Sequence, residues 1–323
     1  MHPLETFVSS LSFGSPTSVE GLSVFPLLRE GAGEPFYDTL TDAIGAGTLR
    51  ISEVSDAGQV PELRVVNDGA RPVLLVDGEE LIGAKQNRIV NLTVLVPARS
   101  TLTLPVTCVE AGRWRHVSDE FAPAERAFHA SGRRDKLDQV SFSLAAHQRP
   151  MANQSAVWSE IADKSARMGA RSETAAAAAM YEHRRDQLDW MIKSIEPVPS
   201  QVGAVFTIRG AIAGLDVFDS PRTWRRTMPK LLRSYGLDAL DGAIGGGVAA
   251  APARFLQGVA QATCTTYKGV GDGQDLRFEG NGIIGAALET HRGVVHVVAF
   301  PASEEGRGLA DSLRDRYRRA ARG

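Results

Sequence analysis

The densest run of groups able to do chemistry is Glu79, Glu80, Lys85, Gln86, Asn87 and Arg88, set between two apolar segments. A plain connection between strands does not need two carboxylates, an ammonium, two amides and a guanidinium. Arginine and lysine suit an anion, and carboxylates suit hydroxyls or a cation. A second run, Cys108-Val109-Glu110-Ala111-Gly112-Arg113-Trp114, closes a later strand. If 72–77 and 87–96 pair antiparallel, the polar loop 78–88 marks one end of the sheet. The strand 101–109 then runs back to that same end, so Glu79, Lys85, Gln86, Arg88, Glu110 and Arg113 converge. Two readings stay open: a ligand pocket, or an internal ion-pair network that orders a long turn. A further version of the first gives Glu79 and Glu80 an acid–base or metal-assisted role in hydrolysis.

Two lesser clusters follow. Asp216, Asp219, Ser234, Tyr235 and Asp238 flank a predicted helix, where capping and core packing explain them better than ligand binding. Asn153, Gln154 and Trp158 precede another helix, and capping accounts for Asn153 as well as a ligand contact does.

The familiar motifs fail on context. Gly280-Asn281-Gly282-Ile283-Ile284-Gly285 fits G-x-G-x-x-G, but a polar stretch precedes it and a hairpin follows, so it reads as a turn or bulge. In Gly78-Glu79-Glu80-Leu81-Ile82-Gly83-Ala84-Lys85 the lysine comes one place late for a phosphate loop, Gln86 replaces Ser or Thr, and the carboxylates repel phosphate. There is no H-E-x-x-H, C-x-x-C or G-x-S-x-G. Cys108 and Cys264 read as small core hydrophobes. No metal site and no cofactor are assigned.

The elements that must position these groups are an α+β set. Strands are expected at 20–28, 63–67, 72–77, 87–96 and 101–109, spaced by short turns as in an antiparallel sandwich or barrel-like sheet. A short helix is expected at 36–44. Residues 153–195 carry helical periodicity and predict a helical hairpin, with Ser172 capping its second member. Asp219-Ser220-Pro221 starts a helix carrying Trp224, Met228, Leu231, Leu232 and Tyr235, kinked or split at Pro229, with Arg222, Arg225, Arg226 and Lys230 opposite. His291-Arg292-Gly293 joins two strands of a hairpin. The polar stretch 113–150 reads as an irregular surface connection.

The expected divisions are a mainly β region 18–150, a helical hairpin 151–200, an α+β region 201–302 packed on the first, and an arginine-rich helical tail 303–323, all within what can be one continuous domain. The chain has 323 residues with 36 Lys+Arg against 38 Asp+Glu, which gives no reason to expect bulk nucleic-acid binding. No basic leader or membrane-length apolar run occurs, so the expected compartment is the cytoplasm. The 32 glycines fall mostly at element ends and support strands and turns.

Taken together, the run from Val73 to Arg88, then Leu95-Val96-Pro97, then the run from Pro105 to Trp114, resembles the ARG and Rhodanese-Phosphatase-superfamily-associated Protein domain family, a bacterial family of unknown function. Phe218-Asp219-Ser220 and the run from Leu231 to Ala239 resemble its second signature. The similarity spans most of 20–301. It implies a link to ADP-ribose or NAD-derived metabolites and to ADP-ribosylglycohydrolase-type proteins as partners. It supplies no catalytic residues. The expected functions are a module that binds or processes such a nucleotide-like ligand, or an interaction protein without a small-molecule site, or a hydrolase.

Overall fold

The computed structural model describes residues 2–55, 61–242 and 251–302, and the chain is α+β, 32% helix and 36% strand. The arginine-rich tail and Gly245, Gly246 and Gly247 lie outside the described residues. Among the described residues the helices are α1 (Pro3–Ser9), α2 (Leu40–Gly45), α3 (Ala130–His147), α4 (Gln154–Met168), α5 (Ala178–His183), α6 (Arg185–Lys193), α7 (Pro221–Asp241) and α8 (Pro252–Ala260). None is long and apolar enough to cross a membrane.

The larger sheet is antiparallel throughout. Its order is Ser12–Phe13, Leu22–Leu28, Gln201–Ile208, Ala211–Phe218, Gly293–Pro301, Ile283–Thr290, Gln274–Gly280 and Thr263–Lys268, with Thr17–Val19 added on Leu22–Leu28. Every residue of Gln201–Ile208 is buried, because helices cover both faces there. Leu215, Val217, Val297 and Ala299 pack with Leu4, Phe7 and Val259 of α1 and α8. Phe206, Phe218, Val298 and Phe300 pack with Trp224, Leu231 and Tyr235 of α7. This is the side-chain alternation of strands used twice.

A second β unit holds six strands in the order Phe121–Ala127, Glu79–Gly83, Arg88–Val90, Ser100–Cys108, Glu62–Asn67 and Leu49–Glu53. Beside it Val94–Val96, Val73–Leu75 and Asp38–Thr39 form a small sheet. Leu63, Val65, Leu75, Val90, Leu104 and Val106 fill their common core.

Several expectations need correction. The polar loop 78–88 is itself a hairpin, with Glu79–Gly83 paired to Arg88–Val90. The expected strand 87–96 breaks in the middle. Asn91 gives its side-chain amide to Pro150 O and accepts from Thr107, and Thr93 accepts the Asp77 N–H, so side chains replace the ladder there. The stretch 113–150 holds Phe121–Ala127 and the 18-residue α3. That helix has no apolar stripe in the sequence because Arg133 and Lys136 share its inward face with Leu137 and Val140, all fully buried. The region 153–195 is three helices, α4 to α6. Ser172 caps a turn ahead of α5, accepting the Ala176 N–H. The helix α7 runs unbroken through Pro229. Packing of Trp224, Leu231 and Tyr235 on both sides of the proline offsets its lost hydrogen bond. Lys230, expected on the solvent face, is buried.

The G-x-G-x-x-G stretch is a turn, as its context suggested. Asn281 and Gly282 have φ of 54° and 76° between Gln274–Gly280 and Ile283–Thr290, the conformation a two-residue hairpin prefers. Gly285 is fixed by packing, since a Cβ there would lie 2.1 Å from the Phe278 ring.

Candidate functional site

The 80–114 cluster does assemble, and its groups largely saturate one another. Arg126 donates to both oxygens of Glu80 at 2.6 and 2.8 Å, and the Asn87 amide adds a third contact. Arg113 donates to Glu110 (2.8 Å), to the Asn87 amide oxygen (3.0 Å) and to Ala84 O (3.0 Å). Glu110 also accepts from Asn87 N and Thr174, and with Arg113 beside it the carboxyl lies below its ordinary range although burial opposes this. Gln86 donates to Glu110 O and accepts from Arg88. Gln154 of α4 brackets the Cys108 backbone, accepting its N–H and donating to its carbonyl. Burial raises the Cys108 thiol, so it behaves as a core group.

Lys85, Arg88 and Trp114 complete this cluster. The Trp114 ring, half exposed, lies 5.4 Å from Lys85 Nζ and 5.8 Å from the Arg88 guanidinium carbon, within cation–π reach. Arg88 is fully buried, and burial lowers its pKa. Its Nε and Nη2 make no hydrogen bond.

Glu79 does not join this group. It accepts from Val76 N at 2.8 Å and from Lys230 of α7 at 2.6 Å. Both carboxylates of the Glu79-Glu80 pair are therefore held in ion pairs, by different cations on opposite sides of the strand.

The second predicted cluster is split among three networks. Asp216 receives a bidentate Arg133 at 2.6 and 3.0 Å and the Tyr235 hydroxyl at 2.8 Å, all fully buried. Burial alone would raise the Asp216 carboxyl, but Arg133 and His296 bring it below its usual range. Asp238 accepts from Lys164 and from Ser131 N, and Ser234 donates to Phe128 O. Asp219 accepts from Tyr37 at 2.5 Å, and burial pushes its pKa up to about 6. Asp77, at the junction of the two β units, accepts from Lys136 at 2.5 Å and faces Arg133 at 3.3 Å. Burial brings Lys136 down to about 8.

The open space lies elsewhere. A cleft of about 1100 Å³ runs between α3, α4 and the outer strands Thr263–Lys268 and Gln274–Gly280. That is slightly above the usual range of small-molecule sites. Phe142 of α3 and Tyr267 of Thr263–Lys268 both line it, with Asn153, Glu160, Arg277 and Glu279 among the polar lining. Arg277 is anchored by a bidentate bond to Asp275 at 2.7 and 2.8 Å. Glu160 meets His129, whose Nε2 lies 2.9 Å from its Oε2.

Of the sequence candidates only Asn153, from the third cluster, lines this cleft. Phe142, Glu160, Tyr267 and Arg277 went unmarked. They come from segments far apart in sequence, and half of them sit in the helix or the edge strand that lacks an apolar period. The alternation of Thr263, Thr265 and Tyr267 on one face of an exposed strand was the one available signal.

A family model described as the ARG and Rhodanese-Phosphatase-superfamily-associated Protein domain matches residues 10–300. No curated protein and no solved structure matches the chain.

Proposed function

The chain belongs to the ARG and Rhodanese-Phosphatase-superfamily-associated Protein domain family, and from that premise we propose that it is a binding module for an ADP-ribose- or NAD-derived ligand, seated in the cleft beside α3. One observation carries the choice of place. The cleft offers about 1100 Å³ of open volume lined by Phe142 and Tyr267, whereas the carboxylates of the 80–114 cluster are taken up by Arg126 and Arg113 and two donors of the buried Arg88 stay unbonded there. Aromatic walls suit a base or a nicotinamide ring. The family name supports the ADP-ribose setting and an ADP-ribosylglycohydrolase-type protein as partner. The expected compartment is the cytoplasm. Hydrolysis by Glu79 and Glu80 finds no support, because Lys230 and Arg126 hold both carboxylates.

A second reading, an interaction protein, draws on one feature. Ile82, Trp114 and Val117 are exposed around the turn at Ala84, whose carbonyl accepts from Val117 N and Arg113. That surface suits docking of a protein partner rather than enclosure of a small molecule.

The test is calorimetry of the full chain with ADP-ribose and NAD, followed by hydrogen exchange of the bound state. Binding with protection in 130–160 and 263–267 is expected. Protection confined to 80–117 would move the site to the other cluster. Silence of both ligands at millimolar concentration would sink the small-molecule reading.

A further inference from the structure

We propose that the cleft recognises the ribosyl end of its ligand through Glu160 and leaves the phosphates outside, at the mouth. This rests on the cleft being the ligand site, and it adds which part of the ligand enters.

The charges of the lining point this way. Each cation there already carries a carboxylate: Arg134 holds Asp135 at 2.8 Å, Lys136 holds Asp77 at 2.5 Å, and Arg277 holds Asp275 at 2.7 Å. Lys136 also donates to Val90 O and Asn91 O, so its ammonium is saturated. Burying a diphosphate against such a wall would strip its water without supplying a partner. Carboxylates are acceptors only, and so are phosphates. A sugar diol is a pair of donors, and a carboxylate that takes ribose hydroxyls is a recurring solution.

Glu160 is the carboxylate built for that role. Its side chain is 25% exposed at the cleft wall, and its Oε2, which makes no hydrogen bond, lies at ion-pair distance, 2.9 Å, from Nε2 of the fully buried His129. That imidazole is held in place. His129 caps α3, with Nδ1 accepting Gly132 N–H at 3.0 Å. That acceptor role leaves the ring hydrogen on Nε2, the nitrogen nearer Glu160, with no hydrogen bond formed between them. The Phe128 ring lies 4.2 Å from the imidazole, centroid to centroid. Gly132 makes the seat possible, since a Cβ there would meet Phe128 Cε1 at 2.3 Å and His129 Cε1 at 2.6 Å. His129 is thus a positioning residue, and Glu160 is the one that touches ligand. The ring of Tyr267 or Phe142 then covers the base attached to that sugar.

Calorimetry on the full chain with adenosine, 2′,3′-dideoxyadenosine, ADP-ribose and ADP tests this directly. Adenosine should bind within about threefold of ADP-ribose, and dideoxyadenosine at least tenfold more weakly than adenosine. Glu160→Gln keeps the size of the side chain and should erase the discrimination between the two nucleosides, with thermal stability preserved. Gly132→Ala, which displaces the imidazole, should blunt the same discrimination in whatever fraction folds. Tight binding of ADP-ribose and ADP with none of adenosine would overturn the ribosyl assignment while leaving the cleft as a nucleotide site. Equal binding of adenosine and its dideoxy analogue would overturn the role of Glu160. No binding of any of the four would remove the cleft reading itself and this inference with it.

Discussion

Glu80 and Glu160 are the same residue type, and each is met by a base, yet they sit in opposite states. Glu80 is 1% exposed, chelated by Arg126 and touched by Asn87, so its lone pairs are filled from within. Glu160 lies at ion-pair distance from His129, its Oε2 makes no hydrogen bond, and it lines about 1100 Å³ of open cleft. The first is paired within the second β unit, to Arg126 of Phe121–Ala127, next to Glu79, whose partner Lys230 ties that unit to α7. The second belongs to a wall. A dense polar sequence therefore marks where the fold is stapled together, and sparse, scattered groups mark where something can enter. Buried charges in the stapled region are costly to expose singly. Groups on the wall are cheap to change.

The sharpest way to break this contrast is Asp216→Ala. It leaves the fully buried Arg133 facing only Asp77, so the loss of stability should be roughly 3–5 kcal/mol. Urea unfolding measures it, and a loss below about 1 kcal/mol would mean that the network is ornamental. Glu80→Gln should come next, at about 2–3 kcal/mol, since Arg126 loses its counter-charge but keeps one acceptor. Replacing both partners, Glu80→Leu with Arg126→Met, should recover much of that loss. If the double variant is no better than the single, the pair is stabilising in its own right.

The same contrast explains how much of the molecule was legible. The strands of the second β unit were visible because Leu63 and Val65 alternate with the exposed Glu62 and Arg64, and Leu102 and Leu104 with the exposed Thr101 and Thr103. Helix α7 was visible because its cap at Ser220 and its apolar face agree. Helix α3 was not, because a helix that buries Arg133 and Lys136 has no apolar stripe to read. Its charges made it look like surface. The same polarity drew attention to Glu79 through Trp114, and there the pairing partners explain why. Arg126, Lys230 and Thr174 arrive from remote segments, so the sequence around residue 80 shows charges without the groups that answer them. The cleft had one weak local signature, the alternation of Thr263, Thr265 and Tyr267, since its walls meet only in the folded chain.

Acid separates the regions further. Asp216 and Asp238 have folded pKa values below the unfolded ones, despite burial, because Arg133 and Lys164 stand beside them. Their contribution is present above about pH 4, where the unfolded carboxyls ionise, and is lost as pH falls further toward the folded values. Asp219 behaves in the opposite sense. Burial lifts its folded pKa to about 6, so its ionisation begins to weaken the fold as pH rises past about 4, and the full cost is present above about 6. Asp219→Asn, which can still accept from Tyr37, should therefore stabilise the protein at pH 7.5 by something of order 1 kcal/mol and leave it unchanged at pH 3.5. Thermal melts at the two pH values decide it. A variant destabilised at both would show that the Tyr37 contact needs the carboxylate.

The smallest effect on stability should come from the cleft. Phe142 is 36% exposed and Tyr267 lies on the outermost strand of the sheet, with Asp275 opposite it on one side only. Truncating either ring leaves no buried cavity and no orphaned charge, so Tyr267→Ala and Phe142→Ala should each stay within about 0.5 kcal/mol of the parent in urea unfolding. Binding of ADP-ribose should nonetheless fall at least tenfold in both. A ring that costs little to remove from the fold and much to remove from the complex is held for a ligand. If either substitution instead costs the fold about 2 kcal/mol or more, that ring is part of the core, and the wall it forms is not a binding surface.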